Sequence, residues 1–155
     1  MNKQGMSEMV KRVVCKDAWV SSAIFPYVEN IVQSVEREFD SKAGLFNPIL
    51  VRMDRRKGDE FDATKRAGVY VYICEPDTCL KVGKSHLNAS KRALEHCRDN
   101  TKSKDGTILM TDHLDSDKTY LLIFALQNES MHWVLALEHY LENTLKPRIP
   151  SKRNG

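Results

Sequence analysis

From Ala67 onwards, the pattern of hydrophobic and polar residues predicts a β-hairpin. Residues 69–73 and 80–82 are rich in β-branched and aromatic side chains, and the turn signal Glu75-Pro76-Asp77-Thr78 lies between them. Runs of this kind on either side of a turn are typical of paired strands. In the first strand, period-two alternation places Tyr70 and Tyr72 on the same face.

The hydrophobic positions that follow predict one further strand and two helices. We expect a helix from Asn88 or Ala89 to Arg98, a strand from Thr119 to Leu126 and a helix from about Glu129 to Leu145. A polar loop through Gly106 and a short helix within 108–113 lie between the first helix and the strand. The order ββαβα indicates an α+β fold.

An N-terminal helical extension precedes this unit. Pro26 suits the first position of a helix that runs to about Phe39. Its apolar positions share one face: Val28, Ile31, Val32, Val35 and Phe39. Residues 45–51 predict a strand or extended segment, and the charged loop 54–65 predicts a boundary. We therefore divide the chain into the extension (1–66), a second unit (67–150) and a basic tail (151–155). We expect the apolar face to dock on the chain's own core; a homodimer through the extension is the alternative.

The composition predicts one domain with an extension. The chain has 155 residues, of which 41% are hydrophobic and 29% charged, enough for one globular core. No apolar run approaches the roughly 20 residues that a membrane-spanning helix needs, and the N-terminus lacks the apolar region of a secretory signal. We therefore expect a cytoplasmic protein with no membrane partner.

Basic residues are clustered, although the net charge is only +3. Clustered cations attract phosphates more effectively than the total charge suggests. We expect nucleic-acid contacts from Arg52, Arg55, Arg56, Lys57, Lys84, Lys146, Arg148, Lys152 and Arg153. For each cluster the alternative is an ordinary solvated face.

Glu138 interrupts the apolar stripe of the last predicted helix. Met131, Val134, Glu138, Leu141 and Leu145 recur at spacings of three and four. A carboxylate in such a stripe must be protonated, paired or bound to a metal, because burying an uncompensated charge is costly. The alternative is a rotated helix with Glu138 at the edge of the core beside Glu142.

Arg92, His96 and Tyr70 are candidates for phosphate chemistry. Arg92 and His96 are four residues apart and share a helix face. Arginine binds an oxyanion through its planar fork, and histidine donates to a phosphate or carries a proton near neutral pH. Near Tyr70, the charges of Lys81 and Lys84 are expected to lower the pKa of the phenol, so that it acts as a base. The alternatives are an ordinary amphipathic helix and a strand tyrosine used for packing.

These residues stand in an order and spacing that resemble a known family. The motifs are Gly68-Val69-Tyr70, then Lys81-Val82-Gly83-Lys84-Ser85, Arg92, His96, and Leu137-Glu138-His139-Tyr140-Leu141 followed by Lys146-Pro147-Arg148. Together they resemble the GIY-YIG nuclease superfamily over about residues 67–150. The resemblance implies a small mixed or antiparallel sheet flanked by helices.

The resemblance also implies a role for each matched residue. Tyr70 matches the tyrosine of the first triplet, Arg92 the phosphate-binding arginine, His96 the residue four positions later, Glu138 the glutamate that holds one divalent cation, and Lys84 a lysine of the DNA-repair branch. Two positions depart from the pattern: Lys81 replaces the tyrosine of the second triplet, and Pro150 stands where many members have an asparagine, a role that Asn154 is a candidate to fill.

The function expected from the residues and the resemblance is that of an endonuclease. It would hydrolyse DNA phosphodiesters with one Mg²⁺ or Mn²⁺ ion on Glu138, with Tyr70 as the base and with Arg92, Lys81 and Lys84 neutralising charge on the phosphate. RNA stays an alternative substrate. The rival functions are a catalytically inactive nucleic-acid-binding module of the same fold and a metal-free protein-interaction domain.

Overall fold

The computed structural model describes residues 22–56, 65–99, 101–127 and 131–151. Its helices are α1 (Phe25–Phe39), α2 (Ala89–Arg98) and α3 (Met131–Leu145). Its strands are β1 (Phe46–Arg52), β2 (Gly68–Cys74), β3 (Thr78–Ser85) and β4 (Thr119–Leu126). Short 3-10 helices span Asp40–Leu45, Met53–Arg55 and Met110–His113. The predicted hairpin, the α+β class and the N-terminal helix are confirmed.

The strands form one antiparallel sheet in the order β1-β4-β2-β3. Strand β4 lies between β1 and β2, and all its residues are buried because both faces of the sheet are covered. Strand β3 is at one edge of the sheet, and the segment after α3 runs along it. There, the Arg148 N–H donates to the Cys79 carbonyl at 3.0 Å and the Ile149 N–H to the Leu80 carbonyl at 2.8 Å.

The sheet separates two apolar clusters. On one face, α1 and α3 pack on side chains such as Val69, Val71 and Phe124. On the other face, α2 packs through Ala89, Ala93 and Cys97. Its partners are the strand side chains that point to that face, including Tyr70, Tyr72 and Ile123. The period-two assignment of the two tyrosines to one face is therefore confirmed.

The predicted boundary at residue 66 falls inside a single core. Strand β1 pairs with β4 along its whole length, and Val28, Ile31, Val32 and Val35 of α1 are at most 2% exposed in the cluster that α3 also enters. The expectation that α1 docks on the chain's own core is confirmed. A homodimer through the extension stays a prediction. In the described ranges, no helix is long and apolar enough to cross a bilayer.

Gly68 is required by the close approach of two strands. It pairs with Ala125 of β4, and a Cβ at Gly68 would overlap the carbonyl oxygen of Phe124. That oxygen belongs to the backbone of the central strand, so it cannot move aside without displacing the sheet. Gly44, by contrast, is exposed in the 3-10 turn before β1, with no atom within 4 Å of an added Cβ.

We therefore predict that Gly68→Ala lowers the free energy of unfolding by about 1–3 kcal/mol, as overpacking does. The matched variant Gly44→Ala should cause no loss, because the added methyl meets open space and reduces only the freedom of the unfolded chain. Urea denaturation of both variants measures the difference. Equal midpoints for the two variants would contradict the close-approach argument.

Candidate functional site

A cleft of roughly 1020 Å³ lies at the β3 edge of the sheet. We call it the β3-edge cleft. Its walls include the six residues predicted to carry chemistry: Tyr70, Lys81, Lys84, Arg92, His96 and Glu138. They come from β2, β3, α2 and α3, and up to 68 positions separate them in the sequence. The fold therefore brings the whole predicted set together.

The edge strand distributes these side chains between the two faces of the sheet. In the pairing of β2 with β3, Lys81 stands opposite Tyr72 and Lys84 opposite Val69. Opposed residues in an antiparallel pair point to the same face. Lys81 is thus on the α2 face with Tyr70, whereas Lys84 is on the α3 face with Glu138. The cleft joins both faces around the edge of β3.

Gly83 allows the tyrosine to reach the cleft. It is paired with Tyr70, and a Cβ at this position would overlap the phenol oxygen of that residue. The Tyr70 ring therefore lies directly over the backbone of the edge strand. This close approach is the structural reason for a glycine at the end of the Lys-Val-Gly triplet.

Tyr70 and His96 form a hydrogen-bonded pair. The Tyr70 hydroxyl lies 2.7 Å from His96 Nε2, and His96 Nδ1 lies 3.1 Å from Thr101 Oγ1. Tyr70 is only 2% exposed, and this burial raises the pKa of its phenol well above 10 although the charge of Arg92 opposes the shift. The expected lowering of this pKa by nearby lysines is therefore wrong, because desolvation has the larger effect.

Burial also determines the protonation of His96. It lowers the pKa of His96 to about 4, and the charges of Lys81 and Arg92 act in the same direction. At neutral pH the imidazole is therefore neutral beside a protonated phenol. Both ring nitrogens face hydroxyl groups, which can donate or accept a hydrogen bond, so the two contacts are compatible with either neutral tautomer. In the tautomer with the proton on Nδ1, Nε2 accepts from the Tyr70 hydroxyl and Nδ1 donates to Thr101 Oγ1.

Glu138 is buried at the cleft wall. It is 3% exposed, and its Oε2 lies 3.3 Å from Lys84 Nζ. The alternative position at the edge of the core beside Glu142 is wrong. Glu142 instead accepts hydrogen bonds from the backbone N–H of Ser151 at 2.9 Å and from its hydroxyl at 3.1 Å.

The donor set of the cleft fits a magnesium ion held by one carboxylate. The described residues contain no group of three or more His, Cys, Asp or Glu arranged to hold a metal. Mg²⁺ commonly uses one or two carboxylates and completes its shell with waters and substrate phosphates. Glu138 already has a cation, the Lys84 ammonium, beside its buried Oε2. It would be the residue that holds Mg²⁺ or Mn²⁺.

The other predicted nucleic-acid contacts are placed differently. Arg52 forms an ion pair with Asp54 at 2.6 Å. Arg56 donates to the Met53 and Leu114 carbonyls and pairs with Asp115. Among the described residues that were predicted to contact nucleic acid, only Lys84 lines the cleft. The others do not: Arg52, Arg55, Arg56, Lys146 and Arg148. Lys57, Lys152, Arg153 and Asn154 lie outside the described residues.

One wall of the cleft consists of residues that the sequence did not identify as site residues. Asp99, Thr101, Lys102, Ser103 and Lys104 follow α2 and line the side of the cleft next to His96. In the sequence this stretch indicates only a polar loop. The available signal was a pair of lysines immediately before Asp105-Gly106, which is a turn signal. Pro150 also lines the cleft, beside Ser151.

Comparisons of the chain with protein-family models, with curated proteins and with solved structures find no match. The likeness to the GIY-YIG superfamily therefore depends on the motif residues themselves. Their convergence in one cleft is an independent observation on which a functional proposal can be built.

The protonation of His96 leads to a measurable prediction. In a proton NMR titration, the His96 ring should keep its neutral signature down to about pH 4, because its burial and the positive charges of Lys81 and Arg92 oppose protonation. His96→Gln identifies the resonance. A midpoint near 6.5, the usual value for histidine, would contradict the assignment.

The same shift determines how stability changes with pH. The unfolded chain binds this proton near pH 6.5, whereas the folded chain binds it only near 4. The contribution of neutral His96 to the free energy of unfolding is therefore present above pH 6.5 and is lost as the pH falls towards 4.

Proposed function

We propose that the protein is a divalent-metal-dependent endonuclease that hydrolyses phosphodiester bonds of DNA. The observation that supports this most strongly is the convergence, in one cleft, of a tyrosine paired with a neutral histidine, an arginine, two lysines and a buried glutamate. A phosphodiester resists attack because its anionic oxygens repel a nucleophile. Hydrolysis therefore needs a proton acceptor and fixed positive charge in the same place.

Tyr70 and His96 are proposed to act as a proton relay. The phenol does not need to ionise in advance: with the ring proton on Nδ1, neutral His96 Nε2 would accept the phenol proton across the 2.7 Å that separates the two atoms. As water attacks the phosphorus, its proton passes to the Tyr70 oxygen and the phenol proton passes to His96. The new P–O bond forms while the bond to the leaving oxygen breaks, and that oxygen takes a proton from solvent.

Arg92 and Lys81 are proposed to neutralise the phosphate. The Arg92 side chain is 50% exposed at the cleft, and its Nη1 pairs with Glu95 at 2.7 Å. A guanidinium has five N–H donors, so one contact with a carboxylate is compatible with binding to a phosphate. Lys81 is buried, at 6% exposure, on the same side as Tyr70. Because little water screens this buried side chain, its positive charge would act strongly on a phosphate in the cleft.

Glu138 is proposed to hold one Mg²⁺ or Mn²⁺ ion. When bound, such an ion supplies electrostatic stabilisation of the leaving oxygen. RNA offers the same phosphodiester chemistry and is the comparison substrate for the assays below. A protein that binds DNA strongly but does not cut it in the presence of Mg²⁺ would instead match the catalytically inactive module.

We predict that the purified protein nicks or linearises supercoiled plasmid when Mg²⁺ is present and leaves it intact in EDTA. Glu138→Gln keeps the side-chain size but removes the charge that would hold the ion, so cleavage should fall by at least about 100-fold. The control is Glu38→Gln, an exposed glutamate at the end of α1 that should cleave normally. Equal rates for Glu138→Gln and the control would eliminate the metal assignment.

Tyr70→Phe tests the relay. The substitution keeps the ring over Gly83 but removes the hydroxyl, so we expect a rate loss of about 10²–10⁴-fold with DNA affinity nearly unchanged. Tyr72→Phe is a matched control on the same face of the same strand. Its hydroxyl donates to the Ala93 carbonyl at 2.8 Å, so this variant should lose about 1 kcal/mol of stability but no activity. Single-turnover cleavage at saturating DNA distinguishes them, and comparable losses in both would reduce Tyr70 to a packing role.

A further inference from the structure

The wall of the β3-edge cleft beyond His96 is a small hairpin formed by residues 101–109. We propose that this hairpin binds the DNA backbone beside the scissile phosphate through Lys102 and Lys104. The inference deepens the proposed function and depends on it, because it names the surface that would hold the substrate. Neither lysine belongs to a basic cluster recognised in the sequence.

The backbone of the hairpin is tied together at several points. Lys102 and Leu109 form an antiparallel bridge, and the Ser103 N–H donates to the Ile108 carbonyl at 3.0 Å. At the base, the Met110 N–H donates to the Thr101 carbonyl at 2.9 Å. At the tip, Gly106 adopts the left-handed conformation with φ of 73°, which glycine tolerates without strain. The lysines are therefore carried by an ordered segment.

Asp105 holds the turn of the hairpin together through one carboxylate oxygen. One of its oxygens, Oδ1, accepts hydrogen bonds from the Ser103 hydroxyl at 2.6 Å, the Thr107 hydroxyl at 2.8 Å and the Thr107 N–H at 3.1 Å. These bonds lower the pKa of Asp105 to about 2, so the turn keeps its network at every pH suitable for DNA. The carboxylate stabilises the hairpin that presents the lysines.

In the described part of the cleft, Lys102 and Lys104 differ from Arg92 and Lys84 in forming no ion pair. Arg92 is paired with Glu95, and Lys84 with Glu138. Within the described part of the chain, no carboxylate forms an ion pair with Lys102 or Lys104, although both are exposed and line the cleft. When an exposed lysine neutralises a DNA phosphate, counterions condensed on the DNA are released. This release is a main source of affinity for DNA.

The charge of the cleft also favours a polyanion. Its cationic lining, as far as the chain is described, consists of Lys81, Lys84, Arg92, Lys102 and Lys104, against the carboxylates of Asp99 and Glu138. His96 adds no positive charge at neutral pH because its pKa is lowered to about 4. The positive lining thus continues from the relay on to the hairpin.

The hairpin is joined directly to the reacting groups. Its first residue, Thr101, contacts His96 Nδ1 at 3.1 Å, and His96 Nε2 contacts Tyr70. A strand of DNA held by Lys102 and Lys104 would therefore lie next to the relay. Phosphate contacts of this kind determine the register of the substrate without reading its sequence.

The experiment measures binding of the full-length protein to a fluorescently labelled DNA duplex in EDTA, so that no cleavage occurs. Lys102→Glu/Lys104→Glu should bind about tenfold or more weakly, and the slope of log K against log salt should fall by about two, one for each lost phosphate contact. The control, Arg37→Glu/Lys118→Glu, makes the same change in net charge at exposed positions outside the cleft. It should keep a slope close to that of the wild type.

Thermal unfolding of both double variants identifies any loss of folding. If the glutamate variant unfolds early, Lys102→Gln/Lys104→Gln takes its place and should change the slope in the same direction. Binding equal to that of the control in both hairpin variants would overturn the inference, while plasmid cleavage by the wild type would leave the proposed function intact. Hairpin-dependent binding by a protein that never cuts DNA would support the inference and contradict the proposed enzymatic activity.

Discussion

The central position of β4 is the constraint on which the site depends. The chain leaves the sheet at its edge, at the end of β3, and must return to the gap between β1 and β2 before β4 can form. Residues 86–99 and 101–118 lie along this crossing over the α2 face of the sheet, and they contain α2 and the hairpin of residues 101–109. The topology therefore places Arg92, His96 and both hairpin lysines above the face that carries Tyr70 and Lys81.

Packing at the edge strand then determines the chemistry available to Tyr70. The phenol lies over Gly83 and is almost fully buried, so it resists ionisation. The same burial keeps His96 neutral at neutral pH, because it disfavours the charged imidazolium. Desolvation thus opposes both a preformed phenolate on Tyr70 and a preformed imidazolium on His96. One physical effect explains both pKa shifts.

The sequence was informative where the signal is local. Periodicity located the hairpin, α2, β4 and α3 because alternation and helical spacing are properties of neighbouring residues. It could not show that β1 joins β4, since strand pairing over such a distance depends on the whole fold. It also misjudged the pKa of Tyr70, because nearby lysines are visible in a sequence and burial is not. Arg52 and Arg56 belong to a predicted phosphate-binding cluster, and the sequence did not show that they form ion pairs with Asp54 and Asp115.

Glu138 shows how a fold can prepare a carboxylate for a cation. Its burial would be costly without a counter-charge, and Lys84 supplies that charge from the edge strand. The ion pair alone therefore accounts for a charged residue in the apolar stripe of α3, and burial by itself is not evidence for a metal. The stronger argument is the position of the pair, which borders the cleft that also holds Tyr70, His96 and Arg92. In the proposed enzyme, a divalent ion on Glu138 would weaken its attraction for Lys84, so that the lysine becomes available to a phosphate in the same cleft.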